Sequence, residues 1–191
     1  MSRIESDIPE CIATSRLVLR SWRVSDAPRL KAALDANLDH LRAWMPWAIS
    51  EPSPLPVIEE RLARFAADFT AGLEWLFGIF SADEETLIGG CGLHPRIGLG
   101  SLEIGYWVQR SLCRRGYATE AAGALTETAF AHPEIERLEI RCDPRNVASA
   151  GVPRRLGYRH VATLQHDAVT PEGEPRPTMV WELTRDEFLR S

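Results

Sequence analysis

Lysine is almost missing from this chain: one residue, Lys31, stands against 21 arginines among 191 residues. Arginine suits phosphate recognition, but the skew runs over the whole chain and points to genomic base composition. Cysteine is scarce as well. Cys11, Cys91, Cys113 and Cys142 form no Cys-x-x-Cys pair and have no histidine cluster at metal spacing, so neither a zinc site nor a disulfide framework is expected. Positive charge is not in surplus; the net charge of −5 argues against a nucleic-acid binder. No stretch approaches the roughly 20 apolar residues of a membrane span. The N-terminal MSRIESDIPE carries acids and no apolar core, unlike a secretory leader. A cytoplasmic protein with no metal and no membrane partner is the expectation.

The length suits one domain, which by size scaling buries about 70% of the unfolded surface without metal or disulfides. No repeat and no linker interrupts it, so 1–191 reads as a single domain with its core over about 14–184. Leu17-Val18-Leu19-Arg20-Ser21-Trp22 alternates as a first strand. Ser25-Asp26-Ala27-Pro28 offers a capping hydroxyl, an acid and a first-turn proline for a helix to about Asp35. Pro46 ends or bends any helix over Asn37–Ser50, and a proline loop precedes a helix over Val57–Ala71. In that helix Ile58, Leu62, Phe65, Ala66 and Phe69 form one apolar face. Trp75–Phe80 and Leu87–Leu93 read as a hairpin, and Leu102–Val108 as a further strand. An alanine-rich helix starts after Gly116. A strand (Arg137–Cys142), a short helix (Asn146–Leu156) and strands over Tyr158–Gln165 and Thr178–Leu183 complete the chain. The class is α/β (α+β), a mixed central sheet flanked by helices.

The segment from Glu103 to Thr119 carries the chemistry. A strand ends at Val108, an arginine-bearing loop follows, and Gly116, Tyr117, Ala118 and Thr119 open a helix. Small residues at 116 and 118 leave backbone N–H groups uncovered, and a helix N-terminus adds orphan donors and a positive dipole end. With Arg110, Arg114 and Arg115 nearby, the loop suits a pyrophosphate. Taken alone, a tight turn that needs glycine explains it equally well.

The order of elements, together with Cys113-Arg114-Arg115-Gly116-Tyr117-Ala118 and the downstream Asn146-x-x-Ser149 and Leu156-Gly157-Tyr158, resembles the GNAT superfamily of N-acetyltransferases. The family's loop is Q/R-x-x-G-x-G/A, and Cys113 stands at its Q/R position. Arg16-Leu17-Val18-Leu19-Arg20, Glu103-Ile104-Gly105-Tyr106-Trp107 and Asn146-Val147-Ala148-Ser149 are most similar to the ribosomal-protein alanine N-acetyltransferase branch. The resemblance implies direct transfer of an acetyl group from acetyl-CoA (coenzyme A) to a primary amine, with a protein or peptide N-terminus as acceptor. A small-molecule amine or antibiotic acetyltransferase, and a non-catalytic acyl-CoA-binding module, remain alternatives. A homodimer is compatible with the branch.

The resemblance places the cofactor on Trp107, Val108, Gln109, Arg114, Arg115, Gly116, Tyr117, Ala118, Thr119 and Asn146, with the Val108 N–H at the oxyanion. Ser149 would donate to the departing sulfur. Strand alternation puts Glu103 beside the open space at Gly105, as base or amine-orienting residue; a salt-bridged strand acid is its plainer reading. Asn146 is also explained as a helix cap. Trp44 and Trp47 would border the acceptor site, and His94, before Pro95 at a strand end, reads as a loop residue, with a second base facing the acceptor channel as the alternative. Many relatives carry a tyrosine acid four residues beyond Ser149, where this chain has Pro153. Pro153 lacks the N–H that would bond to the Ser149 carbonyl, which predicts a kink and a free acceptor there. Cys113 and Cys142 read as buried or incidental thiols.

Overall fold

Strand and turn signals along the chain resolve into one sheet in the computed structural model, which describes residues 8–169 and 173–190. The N-terminal stretch read above as lacking a leader lies largely outside the described residues. The strands are β1 (Cys11–Ala13), β2 (Leu17–Ser21), β3 (Trp75–Ser81), β4 (Leu87–His94), β5 (Ser101–Val108), β6 (Arg137–Cys142), β7 (Arg159–Val169) and β8 (Pro175–Thr184). Their order is β1-β2-β3-β4-β5-β6-β8-β7. Neighbours run antiparallel except β5 and β6, which are parallel. A parallel pair needs a crossover, supplied by the helix that follows Gly116.

The helices are α1 (Ala27–Asp35), α2 (Leu38–Arg42), α3 (Leu55–Thr70), α4 (Tyr117–Phe130), α5 (Val147–Arg155) and α6 (Arg185–Phe188). Alternation along β3 divides the core. Trp75, Phe77 and Ile79 pack with Leu102, Ile104 and the α4 residues Ala121, Ala122, Leu125 and Ala129. Phe80 packs on the other side with Trp22, Leu30, Leu34, Ile58 and Leu62 from α1, α3 and their surroundings. Ala121, Ala122 and Ala129 of α4 are fully buried, and their small side chains let the helix lie close on the sheet. In α3, Ile58, Leu62 and Phe69 point inward as the 3.6-residue spacing predicts, while Phe65 is only partly covered.

Two expectations need correction. Ser25 does not cap α1; a 3-10 turn over Val24–Asp26 leads into the helix, and the Asp26 carboxylate is held instead by Arg20 and the Arg23 N–H. The last strand starts at Pro175 rather than after Pro177. Proline lacks a ladder donor, but Pro177 sits where the β7–β8 register breaks between Leu164 and Ala168, so no regular bond is lost. The short β1 and α6 carry too few residues for a periodic signal.

Arg20 ties three pieces of this framework together. Its guanidinium makes two bonds to Asp26, at 2.7 and 2.8 Å, a third to Glu84 at 2.6 Å, and stacks 4.0 Å from the Phe80 ring centre. Arg20 and Asp26 are both buried. Burial alone would raise the Asp26 carboxyl, but hydrogen bonds from Arg20 and from the Arg23 N–H outweigh it and hold it below its ordinary value. A carboxyl lowered in the folded state contributes stability that is present above its unfolded value, about 3.9, and is lost as pH falls through the folded one. Arg20→Leu leaves the Asp26 charge buried without its partner. Urea denaturation at neutral pH is expected to show a loss of about 3–5 kcal/mol, and the deficit should shrink in acid as the wild type loses the same increment.

Candidate active site

The site begins where two strands part. β5 and β6 pair only from Ser101 with Arg137 to Ile104 with Ile140. Beyond that point β5 keeps to β4 as far as Val108, while β6 keeps to β8 as far as Cys142. A wedge opens between them. The Gln109 N–H donates to Ile88 O at 2.9 Å, which makes Gly89 and Val108 a pair without mutual hydrogen bonds. By antiparallel alternation, the main-chain N–H groups of Tyr106 and Val108 point away from β4 and into the wedge.

The Gly116 loop stands at the wedge's open end. Gly116 caps α4 with φ +85°, and Arg114 is also left-handed at φ +64°. The first helical bond runs from the Glu120 N–H to Gly116 O. The N–H groups of Tyr117, Ala118 and Thr119 therefore have no intrahelical partner, and together with the left-handed turns they form an anion-binding concavity. Arg114 and Arg115 are exposed beside it. The sequence gives no local sign of the latch that holds this loop: Arg16 bonds to Arg115 O at 3.0 Å, pairs with Glu120 at 2.6 Å and lies 4.9 Å from the Tyr117 ring centre. Cys113 points inward, its Sγ 3.5 Å from Gln109 O and 3.7 Å from His40 Nε2, so the position that carries Gln or Arg in the family's loop is filled here by a packed thiol. Gln109, grouped above with the cofactor residues, is engaged elsewhere. Its N–H goes to Ile88, its carbonyl accepts from Leu112, and its amide bonds to Leu87 O and Asn37. It holds a corner of the fold.

A cavity of about 930 Å³ opens at the wedge, where Tyr106, Trp107, Cys142, Asn146 and Ser149 line it. Its floor follows from strand parity: Glu103, Gly105 and Trp107 on β5 lie opposite His94, Gly92 and Gly90 on β4, all on one face. Trp44, Trp47 and Trp107 wall it, with the Trp47 and Trp107 rings 6.3 Å apart, edge to face. Arg176 of β8 closes one side by donating to the Trp44 carbonyl at 2.9 Å. Glu103 lines the cavity as read from the strand, but both its oxygens accept from Arg96, at 2.6 and 2.9 Å, and Arg141 stands 3.9 Å away. His94 is not a loop residue; it ends β4, with Nδ1 2.6 Å from Glu74.

Asn146 caps α5, its Oδ1 accepting the Ser149 N–H at 3.1 Å. The acceptor predicted to be free behind Pro153 is taken. Tyr106 reaches across the wedge and its hydroxyl donates to Ser149 O at 3.1 Å, with Ser149 Oγ 3.2 Å away. Helix α5 continues past Pro153 to Arg155. The expectation failed because it considered only partners within the helix; the donor comes from a strand 43 residues earlier. Burial raises the Tyr106 hydroxyl well above its ordinary value despite the bond to Ser149, so it stays protonated as a donor. Burial likewise pushes the Cys91, Cys113 and Cys142 thiols up, which disfavours the nucleophilic thiolate. Among the described residues, no group of three or more His, Cys, Asp or Glu side chains is placed to hold a metal ion, and no helix is long and apolar enough to cross a membrane.

A wedge between parallel strands, an anion loop at one end and an open cavity at the other define an acyl-transfer site of the kind that the sequence resemblance implies. The acetyltransferase (GNAT) domain model matches residues 16–159, and the chain belongs to this family: it is an N-acetyltransferase that uses acetyl-CoA. YjcK, a probable N-acetyltransferase of Bacillus subtilis (strain 168), is 30% identical over 145 residues, covering 74% of this chain and 80% of that protein. YnaD of the same organism, an uncharacterized N-acetyltransferase, is 32% identical over 83 residues, covering 44% of this chain; the match spans 49% of YnaD's own length. Among solved structures, RimL, a ribosomal L7/L12 alpha-N-protein acetyltransferase in complex with coenzyme A, shares the fold with a TM-score of 0.82 at 20% identity, covering 94% of this chain and 98% of that one.

Two substitutions test this geometry. Gly116→Ala places a side chain at φ +85°, with its Cβ 3.2 Å from Arg16 Nη2. The left-handed strain of about 1–2 kcal/mol is expected to weaken acetyl-CoA binding roughly tenfold by isothermal titration calorimetry. Tyr106→Phe removes the donor to the Ser149 carbonyl and is expected to cost about 1–3 kcal/mol in chemical denaturation; unchanged stability would mean that another group serves that carbonyl.

Proposed function

We propose that this N-acetyltransferase acts on the α-amine of a protein or peptide N-terminus. The observation that carries the reading is the acceptor cavity. At about 930 Å³ it lies at the upper end of small-molecule sites, with room for a chain-terminal residue and its neighbours above a floor in which the Trp107 indole covers Gly90 and the His94 imidazole covers Gly105. The fold shared with RimL, whose name places it on the amino terminus of a ribosomal protein, supports the same class of acceptor.

Acetyl-CoA, when bound, supplies an activated acyl group at a thioester carbonyl. The chain's own residues do the rest. Main-chain N–H groups of Tyr117, Ala118 and Thr119, with Arg114 and Arg115, take the pyrophosphate in the Gly116 concavity. The N–H groups of Tyr106 and Val108 edge the wedge where an extended pantetheine arm fits, alongside Asn146 and the main chain of Trp107. The Val108 N–H serves the carbonyl oxygen as its negative charge grows. Ser149, its carbonyl held by Tyr106, turns its hydroxyl from the Tyr106 oxygen to the departing sulfur. Trp44 and Trp47 narrow the acceptor mouth. Glu103 has the amine-orienting role: Arg96 fixes the carboxylate in place, and its remaining lone pairs accept N–H donors from the acceptor.

Free-thiol release from acetyl-CoA, measured over alanyl- and seryl-terminated peptides and a set of small amines, is expected to favour the peptides. Preference for a small amine would withdraw the acceptor assignment, and thermal stabilisation by acetyl-CoA without thiol release for any amine would leave a binding module. In the same assay Glu103→Ala should lower kcat/KM at least tenfold, about 1.4 kcal/mol of transition-state stabilisation. A change under about threefold removes Glu103 from the site.

A further inference from the structure

An acceptor amine enters as an ammonium, which has no lone pair for attack, so some group in the cavity must take its proton. Glu103 is badly placed for this. Arg96 donates to both its oxygens and Arg141 stands 3.9 Å away, so an incoming ammonium meets a carboxylate already bonded to one cation and flanked by a second. The neighbouring strand offers a different group. His94 lies directly across from Glu103 in the β4–β5 register and lines the same cavity. Its Nδ1 is 2.6 Å from Glu74 Oε1, and no hydrogen bond among the described residues engages Nε2.

The position of the ring is set by what its neighbours lack. Gly92 and Gly105 are cross-strand partners on the cavity face. A Cβ at Gly105 would stand 2.9 Å from His94 Nε2, and one at Gly92 would stand 3.5 Å from it. The imidazole therefore lies over two residues without side chains, with Nε2 above the Gly92–Gly105 pair. One residue beyond Gly105, Tyr106 crosses the wedge to Ser149. His94 is mostly buried, its side chain 14% exposed, so its orientation is held by packing as well as by Glu74. The hydrogen bond from His94 is the main cause that holds the Glu74 carboxyl below its ordinary value. An ionised Glu74 in turn fixes the Nδ1–H tautomer and leaves the Nε2 lone pair facing the cavity.

We propose that His94 is the general base of the transfer and that Glu74 is its positioning residue; the assignment rests on the N-acetyltransferase reading of the site. Nε2 accepts one proton from the acceptor ammonium, directly or through one water. The neutral nitrogen forms the C–N bond as the C–S bond breaks, its second proton ends on the departing sulfur, and His94 returns the first proton to solvent. The products are the amide, the CoA thiol and one proton. The charged groups around the imidazole are Glu74 before β3, Arg64 on α3, Arg96 after β4 and Glu103 on β5. Among the described residues, only Glu74 is bonded to the ring.

The test uses the intact enzyme with an alanyl peptide that it turns over. His94→Gln is expected to lower kcat/KM about 100-fold near neutral pH, with acetyl-CoA affinity within twofold of wild type. The acidic limb of the wild-type pH profile should be lost in that variant, and its deficit should shrink for an acceptor amine of lower basicity, which arrives already neutral. Glu74→Gln should lower kcat about tenfold at unchanged KM, because the ring is no longer held with Nε2 toward the cavity. Gly105→Ala, which forces Nε2 aside, should give the His94→Gln phenotype without removing the ring. Nitrogen NMR of the resting enzyme provides a readout independent of turnover: the neutral His94 ring is expected to carry its proton on Nδ1. A proton on Nε2, or a His94→Gln enzyme that keeps both the wild-type rate and its acidic limb, overturns the proposal. Absence of turnover in the wild type itself would instead strike the functional reading.

Discussion

The parting of β5 from β6 is the constraint on which the rest of the molecule depends. A parallel pair that stayed together to its ends would satisfy its own backbone and leave no site. Here the ladder stops after Ile104 and Ile140, and the strand ends are held apart by different neighbours, β4 on one side and β8 on the other. The groups released by that separation are main-chain N–H donors on β5. They are directional and rigid, and they need no side chain that substitution could remove. Tyr106 then spans the opening to Ser149, so the two walls are tied together at one point without being closed.

Around the wedge, fixed charge is compensated locally. The cavity contains Arg96, Arg141 and Arg176, but Arg96 faces Glu103, Arg141 faces Glu139, and Arg176 is bonded to the carbonyls of Ala43 and Trp44. The arginines act largely as struts. Arg20 does the same in the framework and Arg16 at the loop. The planar five-donor fork of arginine suits such bridging better than a lysine ammonium would, so the composition of this chain supplies it with many cross-braces. Two groups face outward from this scheme: the N-terminal donors of α4, with Arg114 and Arg115 beside them, and the Nε2 edge of His94 in the cavity.

Much of this was legible along the chain. Gly116 and Ala118, the helix after them and the strand before them are contiguous, so their joint meaning survives in one dimension. The parity of Glu103, Gly105 and Trp107 was legible for the same reason, since a strand's alternation is local. The plainer reading of Glu103, a salt-bridged strand acid, also describes its contacts. His94 was misplaced because Pro95 ends the strand immediately after it, and proline reads as loop whether or not the preceding residue is paired. Nothing near Glu74 marks it as that residue's partner; the two are 20 positions apart and meet only when β3 and β4 pair.

Pro153 shows where the division falls. The sequence by itself determined that helix α5 would carry a carbonyl at Ser149 with no intrahelical donor, because a missing N–H is a property of one residue. It likewise determined the glycine at the loop, the two-residue period of the strands and the alanine face of α4. Which donor would satisfy that carbonyl, which arginine would clamp Glu103 and which side chain would be left with an open lone pair were decided only by the tertiary structure. A local rule can state that a group lacks a partner, but the partner itself depends on distances across the sheet, and those exist only after the strands have found their order.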